Sequence, residues 1–171
     1  NENVFNVGFG DAAVVSDRES GKTLVMAVAG KQRFNWASAT SHNSIARIVT
    51  EDDGENWTIT DVTKQFMADD AALLPNAYSM FFTSGRILQS STYKAPGAEY
   101  YRLYSVLVVN NGGNGYPNYA VYSDDFGQTW KILGGKANGV CCASGNETKI
   151  EELPNGDLVV SVRRGGGRTF N

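Results

Sequence analysis

Short runs of alternating apolar and polar residues recur along the chain, separated by clusters of glycine, asparagine, aspartate and serine. A two-residue period of this kind is typical of β-strands with one buried face, so it predicts an all-β structure. Only the stretch 61–74 fits a short helical turn, with Asp61 as its N-cap. The predicted strands form two groups of four and one group of two: 11–16, 23–29, 44–50 and 57–61; 79–90, 100–109, 118–123 and 129–133; and 147–153 and 157–163.

One segment occurs twice in nearly the same form. ARIVTEDDGENWTIT at 46–60 and AVYSDDFGQTWKIL at 120–133 share the pattern Ser/Thr-x-Asp-x-Gly-x-Asn/Thr-Trp. The aspartate can accept hydrogen bonds from its own turn, and the glycine can adopt a positive φ. The tryptophan then covers the hairpin. We interpret both segments as structural turns at equivalent places of a repeated unit.

The serial groups of four strands indicate a β-propeller. The chain is then one partial propeller domain, 1–171, with a blade at 11–61, a blade at 79–133 and a half-blade at 147–163. Propellers close with about 4–8 blades. Two and a half blades leave sheet faces and a strand edge uncovered, so we expect missing propeller segments or a second chain to close the fold.

Charge and composition exclude several classes of protein. A net charge of −3 offers no basic surface for nucleic acid. No apolar run approaches the ~18 residues of a membrane-spanning helix, and the opening NENVFNVGFG shows no signal peptide. His42 is the only histidine, and the adjacent Cys141 and Cys142 do not have the spacing of metal ligands. We therefore expect structural thiols, no metal and no cofactor.

The segment GNETKIEELPNGDLVVSVRR at 145–164 combines a hairpin with two opposite charges. Asn155 and Gly156 centre the turn, which places Glu147 near Arg163 across the strand pair. From spacing alone, the pair is a cross-strand salt bridge, which adds little stability where it is exposed.

Several of these motifs resemble a known family. The repeated turns resemble the Asp boxes, or BNR repeats, of sialidases (neuraminidases), which are six-bladed propellers; Asp boxes also occur in unrelated propellers. Similarity to bacterial exo-α-sialidases of the Bacteroides type extends over nearly the whole chain, which matches their central portion. It implies hydrolysis of terminal sialic acids, sialylated glycans as partners, and a secreted, periplasmic or cell-surface location. The motifs are GFGDAAVVSDRESGKTLVM, FFTSGRILQS, YYRLYSVLV, YAVYSDDFGQTW and GNETKIEELPNGDLVVSVRR.

The resemblance assigns roles to three charged residues. Glu147 matches a glutamate that activates a tyrosine nucleophile by taking its proton. Arg163 matches one of three arginines that bind the carboxylate of sialic acid. Asp11 matches an aspartate that contacts a sugar hydroxyl, although Ala12 replaces the family's proline. A turn acid at the start of a strand is the alternative interpretation of Asp11.

Two further segments match parts of the family's sugar pocket. The loop 30–44 corresponds to one that supplies aromatic residues around the N-acetyl group, with Phe34 and Trp36 as candidates. Ordinary loop packing explains these aromatics equally well. In FFTSGRILQS, Gln89 is a candidate for the glycerol side of the pocket. Four further arginines do not match a position of the family's arginine triad and are expected to be surface or structural residues: Arg86, Arg102, Arg164 and Arg168.

Other parts of the family's catalytic machinery have no match in this sequence. There is no upstream Arg-Ile-Pro motif, no acid/base aspartate, and no tyrosine after Arg163. The segment alone is therefore expected to be inactive. A non-catalytic Asp-box propeller that binds glycans or proteins is the alternative function. A propeller glycosidase with ordinary carboxylate catalysis is a third, and it needs a second carboxylate ~5–9.5 Å from Glu147.

Overall fold

The computed structural model describes residues 8–83, 85–137, 139–164 and 167–170, and most of their regular structure is β-strand. The all-β prediction is confirmed. No helix in the described part of the chain has the length and apolar character needed to span a bilayer. The strands are β1 Phe9–Ser16, β2 Thr23–Ala29, β3 Ser44–Thr50, β4 Thr58–Asp61, β5 Ser79–Phe82, β6 Gly85–Arg86, β7 Leu88–Lys94, β8 Tyr101–Asn110, β9 Asn118–Ser123, β10 Lys131–Ile132, β11 Val140–Cys142, β12 Asn146–Glu152, β13 Leu158–Arg164 and β14 Gly167–Phe170.

These strands form three sheets, numbered here in chain order. Sheet 1 has the order β4-β3-β2-β1-β6, and sheet 3 has the order β12-β13-β14. Sheet 2 has the order β10-β9-β8-β5, with β7 also paired to β8 and β11 also paired to β9. Pairing is antiparallel except for the two-residue contact between β1 and β6. Neighbouring strands in each sheet are therefore mostly consecutive in the sequence.

Sheet 2 departs from the prediction of four continuous strands. The predicted strand 79–90 is broken into β5, β6 and β7, because Gly85 at φ 107° turns the chain out of the sheet and onto β1. The predicted strand 129–133 contains only Lys131–Ile132, and β11 continues the same edge of β9 further along the chain. Four strand positions remain, with the first and last interrupted.

The first strands of the three sheets run in the same direction. The parallel contact of β1 with β6 aligns sheets 1 and 2. Arg86 Nη2 lies 2.6 Å from Glu151 Oε2, which joins β6 to β12. Gly145, just before β12, is bonded to Asn118 at the start of β9, and Glu152, at the end of β12, is bonded to Ser90 in β7, so β12 runs in the direction of β7. The array thus has two distinct ends. The loop end comprises 8–11, 30–43, 110–117 and 143–147, and the turn end comprises 17–22, 51–57, 124–130 and 153–157.

Two apolar clusters join the sheets through opposite faces of β8. Leu103, Leu107 and Val109 face the cluster between sheets 1 and 2. Tyr104 and Val106 face the cluster between sheets 2 and 3. This alternation follows from the two-residue period of a strand that is covered on both faces.

The two adjacent cysteines are thiols, as the sequence predicted. Cys142 is buried between sheets 2 and 3, and Cys141 is partly buried. Burial raises the pKa of the Cys141 thiol. The pair is therefore part of the packing of this interface.

The two repeated turns have the same internal hydrogen bonds. In the first, Asp52 Oδ1 accepts from Thr50 Oγ1 at 2.8 Å and from the Asn56 amide at 2.9 Å. In the second, Asp125 Oδ1 accepts from Ser123 Oγ at 2.8 Å and from the Thr129 amide at 2.8 Å. Each turn joins the third and last strand positions of its sheet, as the shared pattern predicted.

A single helical turn follows sheet 1. Helix α1 spans Thr63–Phe66, inside the predicted stretch 61–74. Its cap residue is Val62, so the assignment of the N-cap to Asp61 was wrong by one position. Asp61 Oδ1 still accepts a hydrogen bond from the Thr63 amide at 2.9 Å, which stabilises the start of the helix.

Candidate functional site

Glu147 lies in a β-bulge at the loop end of sheet 3. The pairing of β12 with β13 is regular from Glu152 to Lys149 and then shifts, so Asn146 rather than Glu147 pairs with Arg163. Glu147 itself has φ 50°, a conformation that non-glycine residues rarely adopt. Bulges of this kind redirect a side chain and are common beside active sites.

The Glu147 carboxylate and the Arg163 guanidinium form an ion pair across this bulge. Arg163 Nη1 donates to Glu147 Oε1 at 2.5 Å. Both side chains are more than half exposed, at 60% for Arg163 and 57% for Glu147. An exposed pair contributes little to stability, while its exposure leaves both charges accessible to a ligand. The predicted proximity is confirmed, and the predicted register holds from Glu152 to Lys149 but not at Glu147 itself.

Asp11 lies in a second bulge, at the equivalent place in sheet 1. The pairing of β1 with β2 shifts between Gly10 and Ala13, and Asp11 has φ 47°. Its side chain is exposed. Because β1 and β12 run in the same direction, the bulges bring Asp11 and Glu147 to the same end of the array.

The loop after β2 carries the two predicted aromatic residues. Phe34 is partly buried, with its ring centroid 5.1 Å from that of Phe81 and 4.9 Å from that of Tyr116. Ser79 Oγ and Asn110 Nδ2 both donate to the Phe34 carbonyl, at 3.0 and 2.8 Å. Phe34 is therefore part of the packed base of this loop.

Trp36, two residues further on, is in a different environment. It is 69% exposed, and the Arg33 guanidinium stacks 4.5 Å from its ring centroid. Exposed aromatic faces of this kind suit contacts with sugars. Of the two predicted aromatics, only Trp36 presents most of its surface to solvent.

Gln89 does not lie with the other candidates. Its Nε2 donates to Asp17 Oδ1 at 2.5 Å, and its Oε1 accepts from the Arg18 amide at 3.2 Å. Asp17 follows the far end of β1, about 20 Å along the strand from Asp11 at roughly 3.3 Å per residue. The structure therefore does not bring Gln89 together with the other candidate residues, since its amide is bound at the turn end.

The four arginines predicted to be surface or structural residues have structural partners where their side chains are described. Arg102 binds Asp124 through two hydrogen bonds of 2.7 and 2.9 Å. It also stacks on the rings of Tyr93 and Tyr122. Arg86 pairs with Glu151, as described above. The side chains of Arg164 and Arg168 lie outside the described residues.

Sequence reasoning missed a buried polar group next to Glu147. Asn118, at the start of β9, and Thr148, in β12, have no exposed surface. Asn118 Nδ2 donates to the carbonyls of Tyr116 at 2.8 Å and Gly145 at 3.0 Å. Its Oδ1 accepts from Thr148 Oγ1. The sequence signal for this buried group is Asn118 itself, a polar residue at the start of the otherwise apolar and aromatic run NYAVY.

Comparison with known proteins places the chain beside sialidases. A sialidase from Paraclostridium sordellii is 25% identical over 175 residues, which cover 96% of this chain and 39% of that protein. The chain therefore spans about two fifths of the length of this curated relative. No family model matches the chain.

Solved structures show the same fold. A sialidase from Streptococcus pneumoniae, in complex with an ethanesulfonate compound, has a TM-score of 0.66 and 12% identity over 95% of this chain and 37% of its own. A Trypanosoma rangeli sialidase, in complex with sialic acid, has a TM-score of 0.63 and 18% identity over 95% of this chain and 26% of its own.

A protein of unknown function from Dyadobacter fermentans has a TM-score of 0.61 and 17% identity, over 93% of this chain and 44% of its own. The chain has the fold of part of a sialidase β-propeller, and it is similar in sequence to part of a sialidase.

Proposed function

We propose that this chain is part of an exo-α-sialidase that removes terminal sialic acids from glycoconjugates. The observation that carries the proposal is the Glu147–Arg163 pair, exposed on a bulge at the loop end of a sialidase fold. The resemblance of the repeated turns to Asp boxes agrees with it. We further propose a secreted, periplasmic or cell-surface location and sialylated glycans as partners.

In the proposed reaction, Glu147 is the base that activates a tyrosine nucleophile. The phenol transfers its proton to the carboxylate, and its oxygen attacks the anomeric carbon. The bond from that carbon to the leaving oxygen breaks, and this oxygen takes a proton from a separate acid. Water then replaces the tyrosine with overall retention. The tyrosine and the acid are not matched in this sequence, so other parts of the protein supply them.

Arg163 has the chemistry to bind the substrate's carboxylate. A guanidinium keeps its charge and offers five N–H donors in a planar fork. One terminal nitrogen, Nη1, lies on Glu147, and the exposure of the side chain lets other donors reach a ligand. A single arginine can in this way hold the substrate's anionic group beside the base.

Asp11 and Trp36 are further members of the proposed site. Asp11 presents a carboxylate from the equivalent bulge of sheet 1, and a carboxylate accepts hydrogen bonds from sugar hydroxyls. Trp36 offers an exposed ring on the neighbouring loop. Phe34 supports that loop from its partly buried position.

The proposed protein has propeller sheets beyond the three of this chain. The apolar residues Trp57 and Ile59 on the outer edge of sheet 1 are 45% and 44% exposed. Their counterparts in sheet 2, Trp130 and Ile132, are buried at the interface of sheets 1 and 2. We propose that a further propeller sheet covers the outer edge of sheet 1 in the same way.

The test is hydrolysis of an aryl α-sialoside by the full-length protein that contains this chain. Glu147→Ala is expected to lower kcat by about 10²–10⁴-fold, because the phenol loses its proton acceptor. Arg163→Ala is expected to raise KM more than it lowers kcat, because binding of the carboxylate is weakened. The isolated 171-residue segment is expected to show no turnover.

Two outcomes contradict the proposal in different ways. Wild-type kinetics in both variants would remove Glu147 and Arg163 from the site. No hydrolysis by the full-length wild type would favour the alternative, a non-catalytic propeller that binds glycans or proteins. Inactive wild-type protein that still binds a sialylated glycan would identify the alternative directly.

A further inference from the structure

Asn118 lies where the bulge that carries Glu147 meets sheet 2. Its side-chain amide is fully buried, and it makes three hydrogen bonds, to Tyr116, Gly145 and Thr148. Both N–H groups donate and the oxygen accepts, so each polar atom of the amide has a partner. An amide with this full set of partners fixes the groups around it.

Two of these partners border Glu147 in the sequence. The Gly145 carbonyl lies two residues before it, and Thr148 follows it directly. Glu147 has φ 50°, a backbone conformation that costs of order 1–3 kcal/mol and persists only where the surroundings enforce it. Asn118 therefore bonds the backbone two residues before Glu147 and the side chain one residue after it.

The third partner connects the bulge to the loop after β2. The Tyr116 carbonyl accepts from Asn118 and also from the Gly145 amide, at 3.1 Å. The Tyr116 ring packs on Phe34, and its hydroxyl donates to Asn35 at 2.9 Å. Through Tyr116, Asn118 therefore joins the Glu147 bulge to the loop that carries Trp36.

We propose that Asn118 and Thr148 are positioning residues that hold the Glu147 carboxylate in its reactive orientation. This inference rests on the proposed role of Glu147 as the base. Thr148 anchors the bulge to Asn118, and Asn118 ties the bulge to Tyr116. Neither residue has exposed surface with which to meet a substrate, so both act through Glu147.

The first experiment removes one hydrogen bond with little change of shape. In the full-length protein, Thr148→Val deletes the hydroxyl donor and Thr148→Ser keeps it. A shift of the base of about 1 Å can cost about 10²-fold in rate. Thr148→Val is therefore expected to lower kcat by about this factor with little change of KM, and Thr148→Ser to restore most of the rate.

A second variant keeps the test decisive if Thr148→Val does not fold. Asn118→Asp preserves the size of the side chain but removes both N–H donors, and a similar loss of kcat is expected. Asn43→Asp is the matched control. Asn43 is also buried and bonds Met80 across sheets 1 and 2, at 2.8 and 3.2 Å, without touching the bulge. A loss of kcat in Asn43→Asp as large as that in Asn118→Asp would overturn the inference.

A double-mutant cycle separates positioning from a merely structural role. In a Glu147→Gln background, Thr148→Val is expected to cause no further loss, because its effect passes through the missing carboxylate. The same loss of rate in both backgrounds would overturn the inference and leave the proposed function intact. A Glu147→Gln variant with the wild-type rate would overturn both.

Discussion

The two ends of the sheet array differ in how their acidic residues are held. At the turn end, Asp52 and Glu152 each accept several hydrogen bonds from their own turn or from a neighbouring strand, while Asp53 lies exposed there with φ 57°. At the loop end, Asp11 and Glu147 lie exposed on bulges with positive φ. The two ends therefore differ in the structural role of their acidic residues. These hydrogen bonds stabilise the fold at the turn end, whereas under the proposed function the exposed carboxylates of the loop end act on the substrate.

Glu152 is the clearest case at the turn end. It accepts hydrogen bonds from Ser90, Ser91 and Thr92 of β7, at distances of 2.5 to 2.8 Å. Burial opposes its ionisation, but these donors outweigh burial and lower the pKa of Glu152 to about 2. Glu152 thereby joins sheet 3 to sheet 2 at the end opposite Glu147.

The two repeated turns, both at the turn end, differ from each other in the burial of their tryptophans. Their internal hydrogen bonds match, yet Trp57 is 45% exposed and Trp130 is buried. Trp57 Nε1 donates to the Gly54 carbonyl at 2.9 Å. Trp130 packs on Phe82 instead, with its ring centroid 5.0 Å away. The turn is thus set locally, whereas the environment of the tryptophan depends on the neighbouring sheet.

The largest expected effect on stability comes from Trp130. Trp130→Ala is expected to lower the free energy of unfolding by about 3–5 kcal/mol, because it opens a cavity between sheets 1 and 2. In the full-length protein, Trp57→Ala is expected to cost a similar amount, because the proposed further sheet covers Trp57. Urea unfolding of both variants measures this. A cost below about 1 kcal/mol for Trp57→Ala alone would show that its face meets solvent.

A smaller effect is expected from acidic pH at the turn end. The folded-state pKa of Glu152 is about 2, below its ordinary value. Its stabilising contribution is therefore full above about pH 5 and is lost as the pH falls from about 4 to 2. The urea midpoint of the wild type should fall over this range, and that of Glu152→Gln should fall less. Parallel pH profiles of the two proteins would contradict the account.

The sequence predicted most of the strands, because their alternation and turn residues are local signals. Strands β2, β3 and β9 have the predicted bounds, 23–29, 44–50 and 118–123. The interruption of sheet 2 was not predictable from alternation, since it arises where Gly85 leaves one sheet to pair with another. The alternation of apolar and polar residues does not indicate which sheet a strand joins.

The candidate site was predicted less completely. Counting residues on either side of the hairpin turn predicted that Glu147 lies close to Arg163. The bulge that displaces Glu147 is hydrogen-bonded to groups far along the chain. Asn118 lies 27 residues from Gly145 and 30 from Thr148. The position of Gln89 at the turn end was not predicted, because its partner Asp17 is 72 residues away. Such tertiary hydrogen bonds have no periodic signature in the sequence.

The most direct test compares Glu147→Gln with Glu152→Gln in the full-length protein. The two acids lie near the start and at the end of β12, and each substitution removes one carboxylate with little change of size. We expect Glu147→Gln to lose kcat on an aryl α-sialoside by about 10²-fold or more and to keep the wild-type urea midpoint. Glu152→Gln is expected to keep kcat and lower the midpoint. The account is contradicted if Glu147→Gln retains full activity, or if both variants lose activity only in proportion to their stability.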